Sequence, residues 1–468
     1  MNAALLMVFC ALAASAGASA QSPTDEDFHV YTDSPRLLLT RQRLRLLQRE
    51  RDRQSVRWQQ FDSLISGGAP MPEPGIARAL YYQVTRDPAA GKQAVEWALS
   101  ADPQKDLRQL AIVFDWCAPV MTKAQADKLA EKIERGLAFQ VTLSTTLNTA
   151  SDSSIKPGTD IVLHNARALA AIAIADRLPD HGNAILGALI QGWWRGVVAK
   201  RIAKGQPAAP REQYYAMFET MHVIRDNLRI ELRESAPAYF RTLPIDDLAG
   251  HYPPALPTPE NEYRVPVYVR EGDPDVTDAT MARAAELAMV AYDDNALETQ
   301  YVQGWLMQDR FVMQSGLGCV YEFLWANPYQ PGLSYFQVPL VFHDTTTGHV
   351  FARTSWDEDA AWLGYFEGHL QLYKDGKIQS LRAGAAVQPV RIGDALLLSA
   401  ESKDAARFEA NAEAVFVLNL TPRAVYQVEV DDQEMEEVET DAGGTLVLSF
   451  PEGADAGVRI RHRPGGEK

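Results

Sequence analysis

The feature that most constrains the fold of this chain is a change in hydrophobic periodicity near residue 330. From Ser34 to about Trp325, apolar residues recur every three or four positions, which is the spacing of amphipathic helices. Beyond the turn-rich stretch 327–332 (NPYQPG), the apolar runs are short and rich in β-branched and aromatic residues, as strands are. The sequence therefore predicts a helical domain followed by a β-rich domain.

The helical part consists of apolar-periodic runs that Pro, Gly or Ser clusters separate, and no strand pattern interrupts them. The predicted helices are Arg41–Ile65, Ile76–Thr85, Lys105–Phe114, Lys123–Phe139, Leu163–Arg177, Ile185–Ala203, Arg211–Ser235, Thr277–Ala291 and Thr299–Phe311. Repeated helical hairpins of this kind predict an α/α toroid, an incomplete or closed helical barrel, over residues 21–330.

The β-rich part has strand patterns separated by turn signals. The predicted strands are Val350–Thr354, Trp362–Tyr373, Lys377–Leu381, Ala395–Leu398, Glu413–Leu420, Tyr426–Val430 and Gly444–Phe450. Asp375-Gly376 between two of them favours a two-residue hairpin turn, because both residues tolerate positive φ. These patterns predict an antiparallel β-sandwich over residues 331–468.

The N-terminal segment has the pattern of an export signal. Residues 1–20 contain no charged side chain, hold an apolar run over 3–14 and end in Ala18-Ser19-Ala20. This pattern predicts a signal peptide cleaved after Ala20, and hence a periplasmic or secreted protein, although an apolar tail is the alternative. No other stretch reaches the 18 or so apolar residues that a membrane span needs, so we expect no membrane insertion.

Composition excludes several partners. The formal net charge of −16 argues against nucleic acid or an anionic membrane as the ligand. No Cys/His spacing resembles a zinc motif, so we expect neither a metal nor another cofactor. Cys117 and Cys319 lie in or beside apolar helical runs, which favours two buried free thiols over the disulfide that export would permit. The sequence carries no signal for the oligomeric state.

A polar segment that leads into an apolar helix is the first candidate site. Residues 144–164 are predicted to form a loop rich in Ser, Thr, Asn and Asp, which leads into His164-Asn165 at the start of the apolar helix. In a helical barrel the polar loops at one end frame the cleft, so both side chains could point into it. The alternative is an ordinary helix entry in which Asn165 caps the backbone.

The predicted helix Arg211–Ser235 is the second candidate. A stripe of polar residues follows one face of it at spacings of three and four: Tyr215, Glu219, His222, Asp226, Arg229 and Arg233. Tyr214 and Arg225 lie beside this stripe. A pocket face would have this pattern, and so would a surface face with solvated ion pairs.

A run of basic residues is the third candidate. Arg195, Lys200, Arg201, Lys204 and Arg211 occur with no acidic residue among them. On so acidic a chain this run indicates a site for an anionic ligand. The alternative is a solvated helix end whose cations favour the helix dipole.

Four short segments carry a resemblance to a known family. They are Ser34–Leu39 (SPRLLL), His164-Asn165, Arg211–Tyr215 (REQYY) and Phe351–Trp356 (FARTSW). Together with the order of the two domains, they make the chain resemble the heparinase II/III-like polysaccharide lyases, exported proteins with an α/α toroid and a C-terminal β-sandwich.

The resemblance implies β-elimination at a uronic acid. It implies that Asn165 and His164 neutralise the substrate carboxylate, and that Tyr215 or Tyr214 acts as the acid/base. The family also carries a His-x-His loop in the sandwich, with a catalytic His and often a structural metal. Here only His369 stands in that stretch, so the resemblance implies no metal and makes His369 the candidate for the second catalytic His. The alternatives are that His369 is an ordinary strand residue, or that His343 or His349 takes its place.

Three functions remain open from the sequence. The first is a lyase acting on an anionic, uronate-containing polysaccharide or oligosaccharide, for which Arg211, Glu219, His222, Arg225, Asp226 and Arg229 are candidate substrate-binding residues. The second is a non-catalytic, glycan-binding relative of the same fold. The third is a glycoside hydrolase, which requires two carboxylates that face each other across the groove.

Overall fold

The computed structural model of the chain describes residues 28–149, 159–177, 179–269, 274–308, 311–381, 389–433 and 436–463. For residues 139–149, 159–160 and 179–181 it describes the backbone alone. The predicted signal peptide and residues 150–158 of the predicted polar segment lie outside the described residues.

Among the described residues as far as Trp325, helices are the main secondary structure, joined by loops, brief 3-10 turns and a short hairpin. The helices are α1 Arg41–Asp52, α2 Val56–Ser66, α3 Pro74–Thr85, α4 Pro88–Ser100, α5 Leu107–Trp116, α6 Lys123–Thr149, α7 Thr159–Ala173, α8 Pro179–Gly187, α9 Ala199–Ala203, α10 Tyr214–Leu228, α11 Pro237–Ala249, α12 Ala279–Tyr292, α13 Leu297–Gln308 and α14 Gly318–Trp325. A π-helical segment, Ala188–Val198, joins α8 to α9, and the hairpin pairs β1 Leu256–Pro257 with β2 Glu262–Tyr263.

The helices form an α/α toroid. The inner helices α3, α5, α7, α10, α12 and α14 contact one another in that order, and α2 contacts both α14 and α3. The inner helices α3 and α5 run in the same direction. Gly75 N donates to Gln109 Oε1 at the N-terminal ends of these two helices (3.2 Å), and the Gln83 amide donates to Trp116 O at the C-terminal ends. The toroid therefore has one end built from N-termini and one from C-termini.

Two of the predicted helices end earlier than their periodicity indicates. Arg41–Ile65 breaks into two helices where Gln54 takes a φ of 51° and Ser55 caps the second one. Arg211–Ser235 ends at Leu228, because Arg229 takes a left-handed φ of 57°. Arg233 therefore does not share the face of α10, and the predicted stripe is shorter by one turn.

The described residues of the C-terminal part form three sheets. Their strands are β3 Val341–Asp344, β4 His349–Arg353, β5 Trp362–Phe366, β6 His369–Lys374, β7 Lys377–Leu381, β8 Val390–Ile392, β9 Ala395–Ser399, β10 Ala405–Ala410, β11 Ala414–Leu418, β12 Val425–Val430, β13 Glu436–Glu439, β14 Leu446–Ser449 and β15 Ala456–His462. The strand orders are β3-β4-β5-β6-β7, β14-β11-β9-β8 and β10-β15-β12-β13.

The three sheets pack as layers of a sandwich, with the sheet of β8, β9, β11 and β14 in the middle. Alternate residues of β9 face opposite sides, as a strand requires: Leu396 packs with the β10-β15-β12-β13 sheet, and Leu397 packs with the β3–β7 sheet. β9 and β11 pair in parallel, which differs from an all-antiparallel sandwich, because the intervening β10 crosses to the outer sheet.

The turn at Asp375-Gly376 is confirmed. Lys374 pairs with Lys377, and the two turn residues have φ values of 52° and 76°. A second turn of the same kind, Glu367-Gly368, divides the predicted strand Trp362–Tyr373 into β5 and β6.

The outer face of the β3–β7 sheet packs against the helical part. Phe351, Trp362 and Phe366 share a core with Tyr252 and Val265 from the segment that follows α11. Trp362 Nε1 donates to Ala249 O (3.0 Å) at the end of α11. The first sheet is therefore apolar on both faces.

The two described cysteines match their prediction. Cys117 and Cys319 are buried and free, and burial raises the pKa of each thiol to about 12. Among the described helices, none combines the length and the apolar character of a membrane span.

Candidate functional site

Tyr215 and Glu219 lie one turn apart on the inner face of α10, so their side chains meet. The Tyr215 hydroxyl donates to Glu219 Oε1 (2.9 Å) and accepts from Trp325 Nε1 (3.2 Å). Tyr215 is 4% exposed and Glu219 is fully buried. Burial and the neighbouring carboxylate raise the pKa of Tyr215 well above its ordinary value. The hydroxyl is therefore a proton donor within the toroid at neutral pH.

Arg108 on α5 compensates the charge of Glu219. Its Nε and Nη2 donate to the two oxygens of Glu219 at 2.6 and 2.7 Å, a bidentate geometry that fixes both partners. Its Nη1 donates to Glu73 Oε1 (2.8 Å) at the start of α3, and the Tyr321 hydroxyl donates to the other oxygen of Glu73. The centre of the toroid thus holds a polar cluster in which each group has a partner.

Asn165 lies inside the contact between α7 and α10. Its Nδ2 donates to Ala216 O (3.0 Å) and Thr220 Oγ1 (3.2 Å), and the residue is 1% exposed. The side chain neither caps a helix end nor faces an open cleft. Its amide joins two inner helices.

His164 and Arg167 lie on a different face of α7, at a spacing of three residues. The His164 ring lies against Trp193, with centroids 4.3 Å apart, and its buried Nδ1 has no hydrogen-bond partner in the described part of the chain. Burial, with a contribution from Arg167, lowers the pKa of His164 to about 3, so the ring is neutral at neutral pH.

Arg167 is 6% exposed, and its Nε has no hydrogen-bond partner among the described residues. No carboxylate among the described residues forms an ion pair with it, and burial lowers its pKa. Sequence reasoning missed Arg167, although its spacing from His164 is a signal that could have found it.

Arg211 and Tyr214 lie at the N-terminal end of α10, where the toroid meets β4. Arg211 donates to Asp246 Oδ2 (3.0 Å) and Asp247 Oδ1 (3.2 Å), and His349 Nδ1 lies 2.9 Å from Asp246 Oδ1. Tyr214 is buried beside this network, and its side chain points about 100° around α10 from that of Tyr215. Two ion pairs within the protein therefore compensate the charge of Arg211.

A neighbouring group, Asp247, His251 and Glu286, has the composition of a metal site. One ligand atom from each lies within 4.8 Å of the others, and all three residues are buried. Arg211 and Arg283 already lie 3.2 and 3.3 Å from the carboxylates of Asp247 and Glu286. The two guanidiniums compensate these charges, so the group is accounted for without a cation.

The C-terminal half of α10 lies at the other end of the toroid. His222 is fully buried and its Nε2 lies 2.9 Å from Ala288 O. Arg225 pairs with Asp226 (2.9 Å) and lines a cleft at the C-terminal ends of the inner helices. The Arg229 guanidinium covers the ring of Tyr31 at 4.4 Å.

His369 begins β6, is exposed and pairs with Phe366 across the hairpin. No hydrogen bond or ring contact joins it to the described residues of the toroid. The structure therefore does not bring the predicted residues into one open cleft: they divide among the toroid centre, the α7 face, the domain contact, the C-terminal end and the sandwich hairpin.

An α/α toroid joined to a layered β-sandwich is the class of architecture that these elements define. No protein-family model matches the chain, and no curated protein matches it. Among solved structures, the chain is similar to the heparan sulfate lyase HepC from Pedobacter heparinus at 12% identity and a TM-score of 0.37, over 84% of this chain and 76% of that one. It is similar to a protein titled glycoside hydrolase at 10% identity and a TM-score of 0.31, over 84% of this chain and 71% of that one.

Proposed function

We propose that this protein is exported and binds an anionic, uronate-containing glycan at the face of α7 that carries His164 and Arg167. The observation that supports the proposal is the uncompensated guanidinium of Arg167, which is 6% exposed and forms no ion pair with a described residue. Burying a charge without a partner is unfavourable by several kcal/mol, and a carboxylate ligand removes this penalty through charge-assisted hydrogen bonds.

The surroundings of Arg167 suit a sugar carboxylate. His164 is neutral, since burial lowers its pKa to about 3, so it can exchange a hydrogen bond with a sugar hydroxyl without repelling the Arg167 guanidinium. Trp193 is half-buried against His164 and offers an aromatic surface to a sugar ring.

β-Elimination is the second candidate function, and the pair of His164 and Arg167 supports its first requirement. Removing the proton beside a carboxylate is feasible only when the carboxylate charge is neutralised, which Arg167 can do. The second requirement, a base, has weaker support, because the Tyr215 hydroxyl donates a hydrogen bond to Glu219, has a raised pKa and lies at the centre of the toroid, apart from the α7 face. Glycan binding is therefore the primary proposal, and β-elimination of the bound glycan is the second.

A hydrolase has less support. Glu73 and Glu219 do come from facing helices, but Arg108 lies between them and donates to both. Glu219 is fully buried, and its oxygens accept from Arg108 and Tyr215. A general acid and a general base need access to the scissile bond and to water, which this arrangement does not provide.

A binding assay tests the primary proposal. Affinity electrophoresis with alginate, heparan sulfate, chondroitin sulfate and neutral dextran compares the full chain with Arg167→Gln. We expect retention by a uronan, no retention by dextran, and affinity lowered about tenfold or more in the variant, since one charge-assisted contact is lost. Arg177→Gln is the matched control, because it removes an arginine just beyond α7 that pairs with Asp127 at the surface.

Equal retention of the Arg167→Gln variant and the parent would overturn the proposed site. The lyase form is tested separately by absorbance at about 235 nm, where an unsaturated uronate absorbs, with the parent chain and Tyr215→Phe. A rise that Tyr215→Phe abolishes supports elimination with Tyr215 as the acid/base; a flat trace with retained binding leaves the binding function alone.

A further inference from the structure

A cleft at the opposite end of the toroid has no role in the proposed function. It lies between the C-terminal ends of α10, α12 and α14 and the start of α1, and has a volume of about 440 Å³. This volume lies in the range of small-ligand sites. His164 lies in the N-terminal half of α7 and Arg167 lies one residue past its midpoint, and neither residue lines this cleft.

Two arginines of the cleft are held by stacking on aromatic rings. The Arg43 guanidinium lies 4.2 Å from the ring centroid of Trp325, and that of Arg225 lies 3.9 Å from the ring centroid of Tyr292. Stacking fixes a planar guanidinium while leaving edge N–H groups free to donate. Such groups lose little conformational entropy when a ligand binds.

Arg43 forms no ion pair with a described residue. Arg225 pairs with Asp226, but Arg43 donates only to Leu38 O, and no described carboxylate lies within ion-pair distance of it. Burial lowers the pKa of Arg43 to about 10, so the group remains charged at neutral pH. Arg49 adds an exposed, unpaired guanidinium to the same cleft, as far as the described residues show.

The rest of the lining has the chemistry of a polyol site. Hydroxyl and amide groups of Thr40, Gln42, Asn327 and Gln330 line the cleft with the arginines and can exchange hydrogen bonds with ligand hydroxyls. One carboxylate, Asp294, also lines the cleft, and its Oδ1 accepts from Asn295 Nδ2 (2.9 Å). Leu46 and other aliphatic side chains of the cleft provide contacts for C–H groups. Cations, amides and a limited apolar wall together fit a carboxylate-bearing sugar better than a neutral sugar or a simple inorganic anion.

We propose that this cleft binds a sugar acid of one or two rings, with its carboxylate between Arg43 and Arg49. The site is separate from the α7 face, so it stands or falls independently of the proposed function. A volume of about 440 Å³ accommodates one or two sugar rings, so the ligand class is a monosaccharide or disaccharide acid.

Calorimetric titration of the full chain with glucuronate and with glucose, at one ionic strength, tests this site. We expect glucuronate to bind and glucose to bind about tenfold more weakly or less, because glucose lacks the carboxylate. Arg43→Lys should weaken glucuronate binding about tenfold, since lysine cannot bind the carboxylate bidentately, and Arg49→Gln several-fold. Arg45→Gln is the control: it lies on the same helix, is exposed and does not line the cleft.

Thermal unfolding of each variant shows whether the fold is kept. If Arg43→Lys is destabilised, the affinity of Arg49→Gln decides the test, because Arg49 is exposed. Glucuronate and glucose binding equally, sulfate binding as tightly as glucuronate, or Arg45→Gln weakening binding as much as Arg49→Gln would each overturn the sugar-acid site. Arg167→Gln should leave glucuronate affinity unchanged. Loss of binding in that variant, with Arg43→Lys unaffected, assigns the ligand to α7 and refutes the cleft.

Discussion

Glu322 on α14 illustrates how burial sets the behaviour of a single residue. It is 2% exposed, and its Oε2 accepts from Met313 N (2.9 Å). Burial raises its pKa from 4.5 to about 7; Arg57 opposes this shift, while Glu260 and Glu50 add to it. Since the folded state holds this proton more tightly than the unfolded state, the stability from this group is complete below pH 4.5 and is lost as pH rises towards 7.

We predict that Glu322→Gln makes the free energy of unfolding less sensitive to pH. Gln keeps an oxygen for Met313 N and cannot ionise, so the variant avoids the penalty of a buried carboxylate. Between pH 4.5 and pH 8, the free energy of unfolding of the variant should rise by about 3 kcal/mol relative to that of the parent, because each unit of the pKa shift from 4.5 to about 7 corresponds to about 1.4 kcal/mol. Urea unfolding of both proteins across this range measures the difference; parallel stability curves would contradict the prediction.

The sequence predicted which residues of the toroid share a helix face, but it did not predict what that face contacts. The spacing of Tyr215 and Glu219 places them on one face of α10, and they do form a hydrogen bond. Whether that face meets solvent, a ligand or Arg108 depends on packing between residues 111 positions apart. Asn165 was expected to cap a helix or face a cleft, but an amide within an apolar helix contact must find a partner there, and Ala216 O supplies it.

At the scale of elements, polar contacts hold the inner helices together across the centre of the toroid. Arg108 joins α5 to α10 through Glu219 and to the start of α3 through Glu73. Periodicity located these helices, yet it could not show where α1 and α2 divide or where α10 ends. Those breaks depend on single residues with positive φ, Gln54 and Arg229, whose side chains give no turn signal.

We predict that Arg108→Gln destabilises the toroid by about 3–5 kcal/mol, because it leaves the fully buried Glu219 carboxylate without its bidentate partner. Adding Glu219→Gln should restore much of the loss, since the buried charge is then removed. Arg177→Gln, which breaks an exposed pair with Asp127, is the control and should change stability by less than about 1 kcal/mol. Chemical denaturation measures all three; a loss no larger than that of the control would show that Glu219 is compensated otherwise.

At the scale of the whole molecule, the order of helical and β-rich parts followed from the change in periodicity, because period 3.6 and period 2 are distinct. The layering of the sandwich did not follow from it. β10 and β15 were missed, and the parallel pairing of β9 with β11 depends on which sheet β10 joins. The predicted boundary at residue 330 lies between α14 and β3. That the two parts are independent domains remains a prediction.

The packing of the β3–β7 sheet gives a test of that boundary. Phe351, Trp362 and Phe366 pack on Tyr252 and Val265, and Arg353 Nη2 donates to Ala249 O (2.8 Å) and His251 O (3.1 Å). Cutting the chain at 330 would expose this apolar face and leave a buried guanidinium without its acceptors. Large exposed apolar patches drive association.

We therefore predict that residues 331–468 expressed alone aggregate or self-associate, whereas co-expression with residues 21–330 yields a soluble complex. Size-exclusion chromatography and thermal unfolding measure both outcomes. In the full chain, Trp362→Ala should cost about 3–5 kcal/mol in the free energy of unfolding and lower the stability of the toroid as well, because the indole packs on both parts. A monomeric 331–468 fragment with a cooperative transition of its own would show instead that the sandwich folds independently, and that its contact with α11 is a docking surface between two finished domains.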